Sequence, residues 1–223
     1  MPYTVPDMTL IPQTKTMACW YASAQMLIQW RRNEMQMTEM GIIDPSEDEV
    51  LAKMRDRDHG ISNTALIHMA KKLGLLPIPP MSPTPAALES WLMTYGPLWV
   101  NGKTHIVVIA GIRPGDVLVY DPSPINTGTI EWRSLAGWYV GGAVDSRDTG
   151  SDVQAVFLHC PTKMAVPPSK EVEIYVVKPG DNLSKIANRY YSDPNLWHFI
   201  HAANKSKIPN PNLIHPGQKL VIP

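Results

Sequence analysis

The sequence predicts an α+β fold in two parts: helices followed by an antiparallel sheet over residues 1–160, and a small βααβ module over residues 172–223. Three observations lead there. The first hundred residues hold apolar stretches of helical spacing bounded by capping residues. From Leu98 onward the pattern changes to short Val/Ile-rich runs of strand length separated by Gly/Pro turns. After a proline-rich stretch, residues 161–171, the chain reads strand, turn, two helices, strand.

Each element has a local cause. Cys19-Trp20-Tyr21-Ala22-Ser23-Ala24-Gln25-Met26-Leu27-Ile28 is an apolar helical stretch. Ser46 with Glu49 makes a capping-box start for a helix to about Arg57. Asn63 to Leu73 is helical and stops at Gly74. Thr84 caps and Pro85 opens another helix that ends before Gly96. Strands are expected near Leu98–Val100, His105–Ile112, Val117–Asp121, Thr129–Trp132 and Val153–His159, with Arg113-Pro114-Gly115-Asp116 turning between the second and third. Residues 161–171 read as a stiff, extended linker. Beyond it, Tyr175–Lys178 is a strand, Pro179-Gly180 a turn, and Asp181 the cap of a helix whose Leu183, Ile186 and Ala187 share one face. A second helix covers Pro194 to Ala203, and a loop leads to a closing strand at the end.

Composition excludes several classes. The net charge is +0 and the pI about 7.1, so nothing favours nucleic acid or an anionic membrane surface. No stretch approaches the roughly 20 apolar residues of a membrane span. Two cysteines make no disulfide framework, which points to a reducing origin. The segment from Met1 to Asp7 has neither a basic n-region nor an apolar core, so the expectation is synthesis in a bacterial cytoplasm without a signal peptide and export by a specialised secretion system into a target cell. No cofactor is expected: Cys-x-x-Cys, His-Glu-x-x-His and a glycine-rich phosphate loop are all missing from the sequence. His198 and His201 sit three apart on a helix, but the sequence supplies no third ligand for a metal.

Gln13, Cys19, His105 and Asp121 carry the chemistry. Each stands where an element begins or ends: Cys19 opens a helix, His105 opens a strand and Asp121 closes the next strand. A thiol attacks a carbonyl as thiolate, and a helix N-terminus beside a protonated imidazole lowers a cysteine pKa. Cys19 is thus a candidate nucleophile, His105 its base and acid, and Asp121 the group that fixes the imidazole. The Gln13 amide and the Cys19 N–H are candidate oxyanion donors. A lone cysteine or histidine in such settings is more often a core residue. Four residue types in order and in context outweigh that reading here. Cys160, after the last strand expected in this part, reads as a buried thiol, and Trp99, Trp132 and Trp138 compete as the shield over the His105–Asp121 pair.

Gln13-Thr14-Lys15-Thr16-Met17-Ala18-Cys19-Trp20 resembles the active-site start of the papain-like superfamily. Thr16 and Met17 depart from the cathepsin signature, and Cys19 and His105 are only 86 positions apart where cathepsins place roughly 130 or more. Two compact branches resemble the chain more nearly: the bacteriocin-leader-processing peptidases fused to export transporters, and the avirulence-type cysteine protease effectors of plant-pathogenic bacteria. The resemblance rests on the short Cys-to-His interval, the hydrophobic strand after His105 and the Asp121-Pro122 ending of the next strand. It implies a papain-like packing of helices on an antiparallel sheet, and a small or glycine residue near the scissile bond.

From about Val172 to Pro223 the chain resembles the LysM domain. Members bind N-acetylglucosamine glycans of peptidoglycan or chitin. By position, the groove implied is Gly180, Asp181, Asn182 and Leu183 on one side and Pro209, Asn210, Pro211, Asn212, Leu213 and Ile214 on the other. Asn182 stands where Thr is usual.

The leading expectation is a cysteine endopeptidase acting as a secreted effector or interbacterial toxin on a protein or peptide substrate. Its LysM module would bind peptidoglycan or assist delivery, and a cognate immunity protein would cap its cleft. Three alternatives stay open: a peptidoglycan amidase or endopeptidase brought to the wall by LysM, a deamidase or transglutaminase-like effector, and a non-enzymatic glycan-binding protein.

Overall fold

A computed structural model describes residues 2–34, 43–78, 83–102, 105–135, 157–161 and 172–223. The expected linker over 161–171 lies, beyond Pro161, outside the described residues, as do Trp138 and the start of the strand expected from Val153.

Helix α1 (Cys19–Glu34) is apolar and buried over most of its surface, with Gln29, Asn33 and Glu34 left exposed. Ten of its sixteen residues are buried, including Trp20, Met26, Leu27, Ile28 and Trp30, because other elements pack on most of its circumference. Helix α2 (Glu49–Asp56) is capped by Asp48, whose side chain accepts the Leu51 N–H. The expected Ser46 cap belongs instead to a short 3-10 turn, Pro45–Glu47, capped by Asp44. Pro45 fixes the φ that starts this turn, and the true helix begins only after it. Helix α3 (Asn63–Leu73) starts at the Ser62 cap and ends at Gly74 with φ 68°. Helix α4 (Pro85–Tyr95) starts at Thr84 and stops at Gly96.

One sheet runs in the order β2 (Leu76–Ile78), β7 (Phe157–His159), β3 (Leu98–Asn101), β4 (Ile106–Arg113), β5 (Asp116–Asp121), β6 (Thr129–Ser134). The two-residue β1 (Tyr3–Thr4) extends the β3 side of β4, pairing with Gly111 and Ile112. All these pairings are antiparallel. The two central strands carry the Val/Ile-rich runs, as burial on both faces requires: seven of the eight β4 residues are buried. The architecture is α+β, with helices packed on an antiparallel sheet.

The C-terminal module pairs β8 (Glu173–Val176) with β9 (Lys219–Ile222), with α5 (Leu183–Tyr191), a 3-10 turn (Pro194–Leu196) and α6 (Trp197–Ala203) between them. The cap of α5 is Asn182, accepting the Lys185 N–H, and not Asp181. Asp181 accepts instead from the Tyr175 hydroxyl and the Lys178 N–H, closing the turn before the helix.

The module is seated on α2 and α3. Ala65, Leu66 and Met69 of α3 belong to the same buried cluster as Tyr190, Tyr191 and Ile222. The Ser62 N–H donates to Ser192 Oγ at 2.9 Å, Lys71 pairs with Glu173 at 2.9 Å, and Arg57 faces the buried Asp193 at 3.4 Å. His68, which the sequence assigns no role, lies at the centre of this seam. Its Nε2 is 3.2 Å from the main-chain oxygen of Pro223, and its ring packs on Tyr190 and Tyr191.

Two predictions follow from this packing. Burial, with Lys72 nearby, pushes the His68 pKa down to about 4, so the seam requires neutral imidazole. A lowered histidine pKa gives stability that is present above pH 6.5 and lost as pH falls toward 4, by roughly 3 kcal/mol over that window. Denaturant melts should show this acid loss, and His68→Gln, which keeps a donor for Pro223 but does not titrate, should flatten it. Separately, a Cβ at Gly96 would fall 2.1 Å from the Trp30 ring at a φ of 79°. Gly96→Ala should lower unfolding free energy by about 2–4 kcal/mol.

Candidate active site

Cys19 is the first residue of α1 and is half-buried. Two bonds fix the helix start. Trp99, fully buried in β3, donates from Nε1 to the Trp20 carbonyl at 3.2 Å. The Ser23 hydroxyl donates to the Ile106 carbonyl at 3.3 Å. Ser23 lies one turn after Cys19 on the same helix face, and Ile106 follows His105, so this bond sets the thiol against the start of β4.

His105 stands just before β4, with Nε2 2.5 Å from Asp121 Oδ1. Cys19 is the second side chain acting on the ring, and with Nε2 taken by Asp121 the remaining nitrogen is Nδ1. Burial by itself works against a charged imidazole here, but the hydrogen bonds with Asp121 and Cys19 overcome it and raise the pKa to about 9. The ring therefore carries a positive charge at neutral pH beside the thiol.

Asp121 closes β5 and is buried. Burial pushes its pKa up, yet the opposing effects of His105, Arg133 and the Ser123 N–H prevail and hold it below the ordinary carboxylate value. Oδ1 accepts from His105 and from the Ser123 N–H at 2.9 Å, and Oδ2 accepts from Arg133 at 2.7 Å. Arg133 also binds Glu131 at 2.7 Å. The sequence reading missed Arg133. The signal was available in the pairing of Asp121 with Thr129, because a period of two then puts residues 131 and 133 on the Asp121 face.

Gln13 is tied to the loop after Asp121: its N–H donates to the Pro122 carbonyl and its carbonyl accepts the Asn126 N–H, each at 2.9 Å. Its side-chain amide donates both hydrogens within its own loop, to the carbonyls of Lys15 and Thr16, each at 2.9 Å. The structure thus brings Gln13 to the Asp121 loop with its amide bracing the segment that leads to Cys19. The N–H groups of Cys19 and Trp20, at the start of a helix, have no intrahelical acceptor.

Of the competing tryptophans, Trp99 braces α1 from below, and Trp132 packs its ring against Arg113 at 4.5 Å. Cys160 is buried, which pushes its thiol up to about 11, although Arg31 opposes this.

In the C-terminal module, Gly180, Asp181 and Asn182 lie in the turn before α5, and Pro209 to Ile214 in the loop before β9. Val176 pairs with Lys219, so both loops leave the same end of the two-stranded sheet. Asn210, Asn212 and Leu213 are exposed, whereas Leu183 is buried in the module's core. His198 and His201 are engaged by the carbonyls of Asn195 and Ile208. Among the described residues no group of three or more His, Cys, Asp or Glu could hold a metal ion. Among them, too, no helix is long and apolar enough to cross a membrane.

The comparisons agree with this division. The family described as papain-like cysteine protease AvrRpt2 matches residues 2–135, and the LysM domain matches residues 175–223. The chain is 56% identical over 50 residues to an uncharacterized protein of Deinococcus radiodurans, a match covering 22% of this chain and 19% of that one. It is 43% identical over 56 residues to the Potassium binding protein Kbp of Escherichia coli O6:H1 (strain CFT073), covering 25% of this chain and 38% of that one. Both matches span well under half of the relatives' own lengths. With more than half of its residues matched, and with His105 bonded to the Asp121 carboxylate and interacting with Cys19, this protein belongs to the AvrRpt2 family of papain-like cysteine proteases.

Proposed function

We propose that the chain is a cysteine endopeptidase in which Cys19 is the nucleophile, His105 the proton carrier and Asp121 the group that orients His105. The observation that carries this reading is His105 held between the Cys19 thiol and the Asp121 carboxylate, with a pKa raised to about 9. The Cys19 thiolate attacks the substrate carbonyl carbon, forming a C–S bond and an oxyanion. The Cys19 N–H donates to that oxyanion, and Gln13 joins it when one of its amide hydrogens leaves the loop carbonyls. The C–N bond breaks as the His105 Nδ1–H protonates the departing amine. Water, losing its proton to His105, then hydrolyses the thioester and returns the thiol.

The partner is a protein or peptide substrate, and the biological setting that fits best is a bacterial effector or toxin exported to a target cell, with an immunity protein in the producer. The LysM module binds peptidoglycan through Gly180 to Asn182 and Pro209 to Ile214. Its seat on α2 and α3 favours a second reading, in which the wall peptide itself is the substrate.

Expression of the chain and of Cys19→Ala in bacterial cytoplasm and, with an added signal peptide, in periplasm separates the two. Cytoplasmic toxicity that vanishes in the variant and brings new protein N-termini supports the endopeptidase. Periplasmic lysis without new termini makes the wall the substrate. Sedimentation with purified sacculi tests the LysM assignment, and a protein left in the supernatant removes it.

The pH profile tests the proton carrier. Because hydrogen bonding raises the His105 pKa, its charge persists to about 9, and peptide cleavage should fall only as pH rises through that value. Asp121→Asn should reduce kcat/KM at least about tenfold and draw the alkaline limb down by about one pH unit or more. An unmoved limb would remove Asp121 from its role.

A further inference from the structure

Two helix ends adopt left-handed backbone on residues that pay a steric penalty for it. Asp58, just past α2, has φ 55°, and Ser192, just past α5, has φ 55°. Glycine takes this conformation freely at a helix C-terminus, so a side chain kept there calls for a reason. Both side chains have one. Asp58 Oδ1 accepts the N–H of Met17 at 2.6 Å, two residues before Cys19. Ser192 Oγ accepts the N–H of Ser62 at 2.9 Å.

Asp58 and Ser62 are the two ends of one short loop. At its start Arg57 faces the buried Asp193 of the C-terminal module at 3.4 Å. In its middle, a methyl group added at Gly60 would come within 3.1 Å of the Met17 side chain. A continuous path therefore runs from the LysM helix end, through the loop, to the main chain that precedes Cys19. Its two end links are hydrogen bonds to backbone N–H groups, so they act on main-chain position directly.

We propose that the LysM domain is a structural part of the catalytic unit, seated on the loop 57–62 so that Ser192 and Asp58 together hold the Met17–Cys19 segment in register with His105. Asp58 and Ser192 are positioning residues; neither touches the substrate. The proposal rests on Cys19 being the nucleophile, and it makes peptide cleavage depend on the module even for soluble peptides that no glycan presents.

Full-length Asp58→Gly and Ser192→Gly test it, since glycine suits the left-handed backbone and removes only the acceptor. The readouts are hydrogen exchange over residues 17–20, alkylation of Cys19 by iodoacetamide, and kcat and KM on a soluble peptide. In both variants exchange should quicken by about tenfold or more, with kcat down at least about fivefold and KM within about twofold. Asp58→Asn, which keeps an acceptor, should restore both. The double glycine variant should be no worse than Asp58→Gly, because the two act on one path. Unchanged exchange in Ser192→Gly, faster exchange with kcat intact, or equal damage in Asp58→Gly and Asp58→Asn would each overturn the brace while leaving a reactive Cys19. A wild-type Cys19 inert to iodoacetamide would instead sink the hydrolase reading on which the brace depends.

Discussion

The enclosure of α1 is the constraint on which the rest of the structure depends. A helix with ten of its sixteen residues buried cannot slide or rotate without opening cavities, and each large apolar side chain buried there is worth about 1.5–3 kcal/mol. Enclosure also forces its polar atoms to find partners inside the protein. Ser23 reaches β4, the Trp20 carbonyl receives Trp99 from β3, and Arg31 donates to the carbonyls of Tyr95 and Cys160. Those bonds go to four different elements or element ends, so they fix the register of α1 in three dimensions. Arg31 is 1% exposed, and leaving such a charge unpaired typically costs 3–5 kcal/mol. The Cys19 thiol inherits its position from this lock.

Alternation of charge organises the other half of the site. Arg133, Asp121, His105 and Cys19 form a row in which each group has a partner of opposite charge once the thiol ionises. Asp121 must accept on both oxygens, from His105 and Ser123 on one and from Arg133 on the other. An asparagine would turn an N–H toward one of these donors, so the Arg133 ion pair explains why a carboxylate stands here. The pair also keeps Asp121 ionised despite its burial, and a charged Asp121 is what lets His105 hold its proton beyond neutral pH.

Local chemistry was legible in the sequence, and long-range pairing was not. Thr84 with Pro85, the stop at Gly74 and the β4–β5 turn are decided within a few residues, and the structure has them as expected. Cys19, His105 and Asp121 were visible because element ends are recognisable, and their types make sense only together. The two misplaced caps, Ser46 for Asp48 and Asp181 for Asn182, have one cause: a run of adjacent capping residues lets a preceding turn compete for the helix start. Ser23, Asp58 and His68 escaped because each acts through a partner 41 to 155 positions away, and nothing in the local sequence marks that partner.

A stiff, proline-rich linker suggests two separate domains, yet buried residues of both share one cluster, while the rest of the protease domain's core forms a second. The seam includes a neutral histidine, a buried aspartate and the Pro223 main chain. Its geometry leaves the module's other task open. Pro223 follows the last residue of β9 and sits on α3, whereas the loops at 180–182 and 209–214 leave the sheet where β9 begins. One end of a two-stranded sheet is thus committed to the protease domain and the opposite end faces outward. A glycan held at the outer loops would therefore not have to displace the module from its seat, and docking and glycan binding can coexist on a domain of some fifty residues.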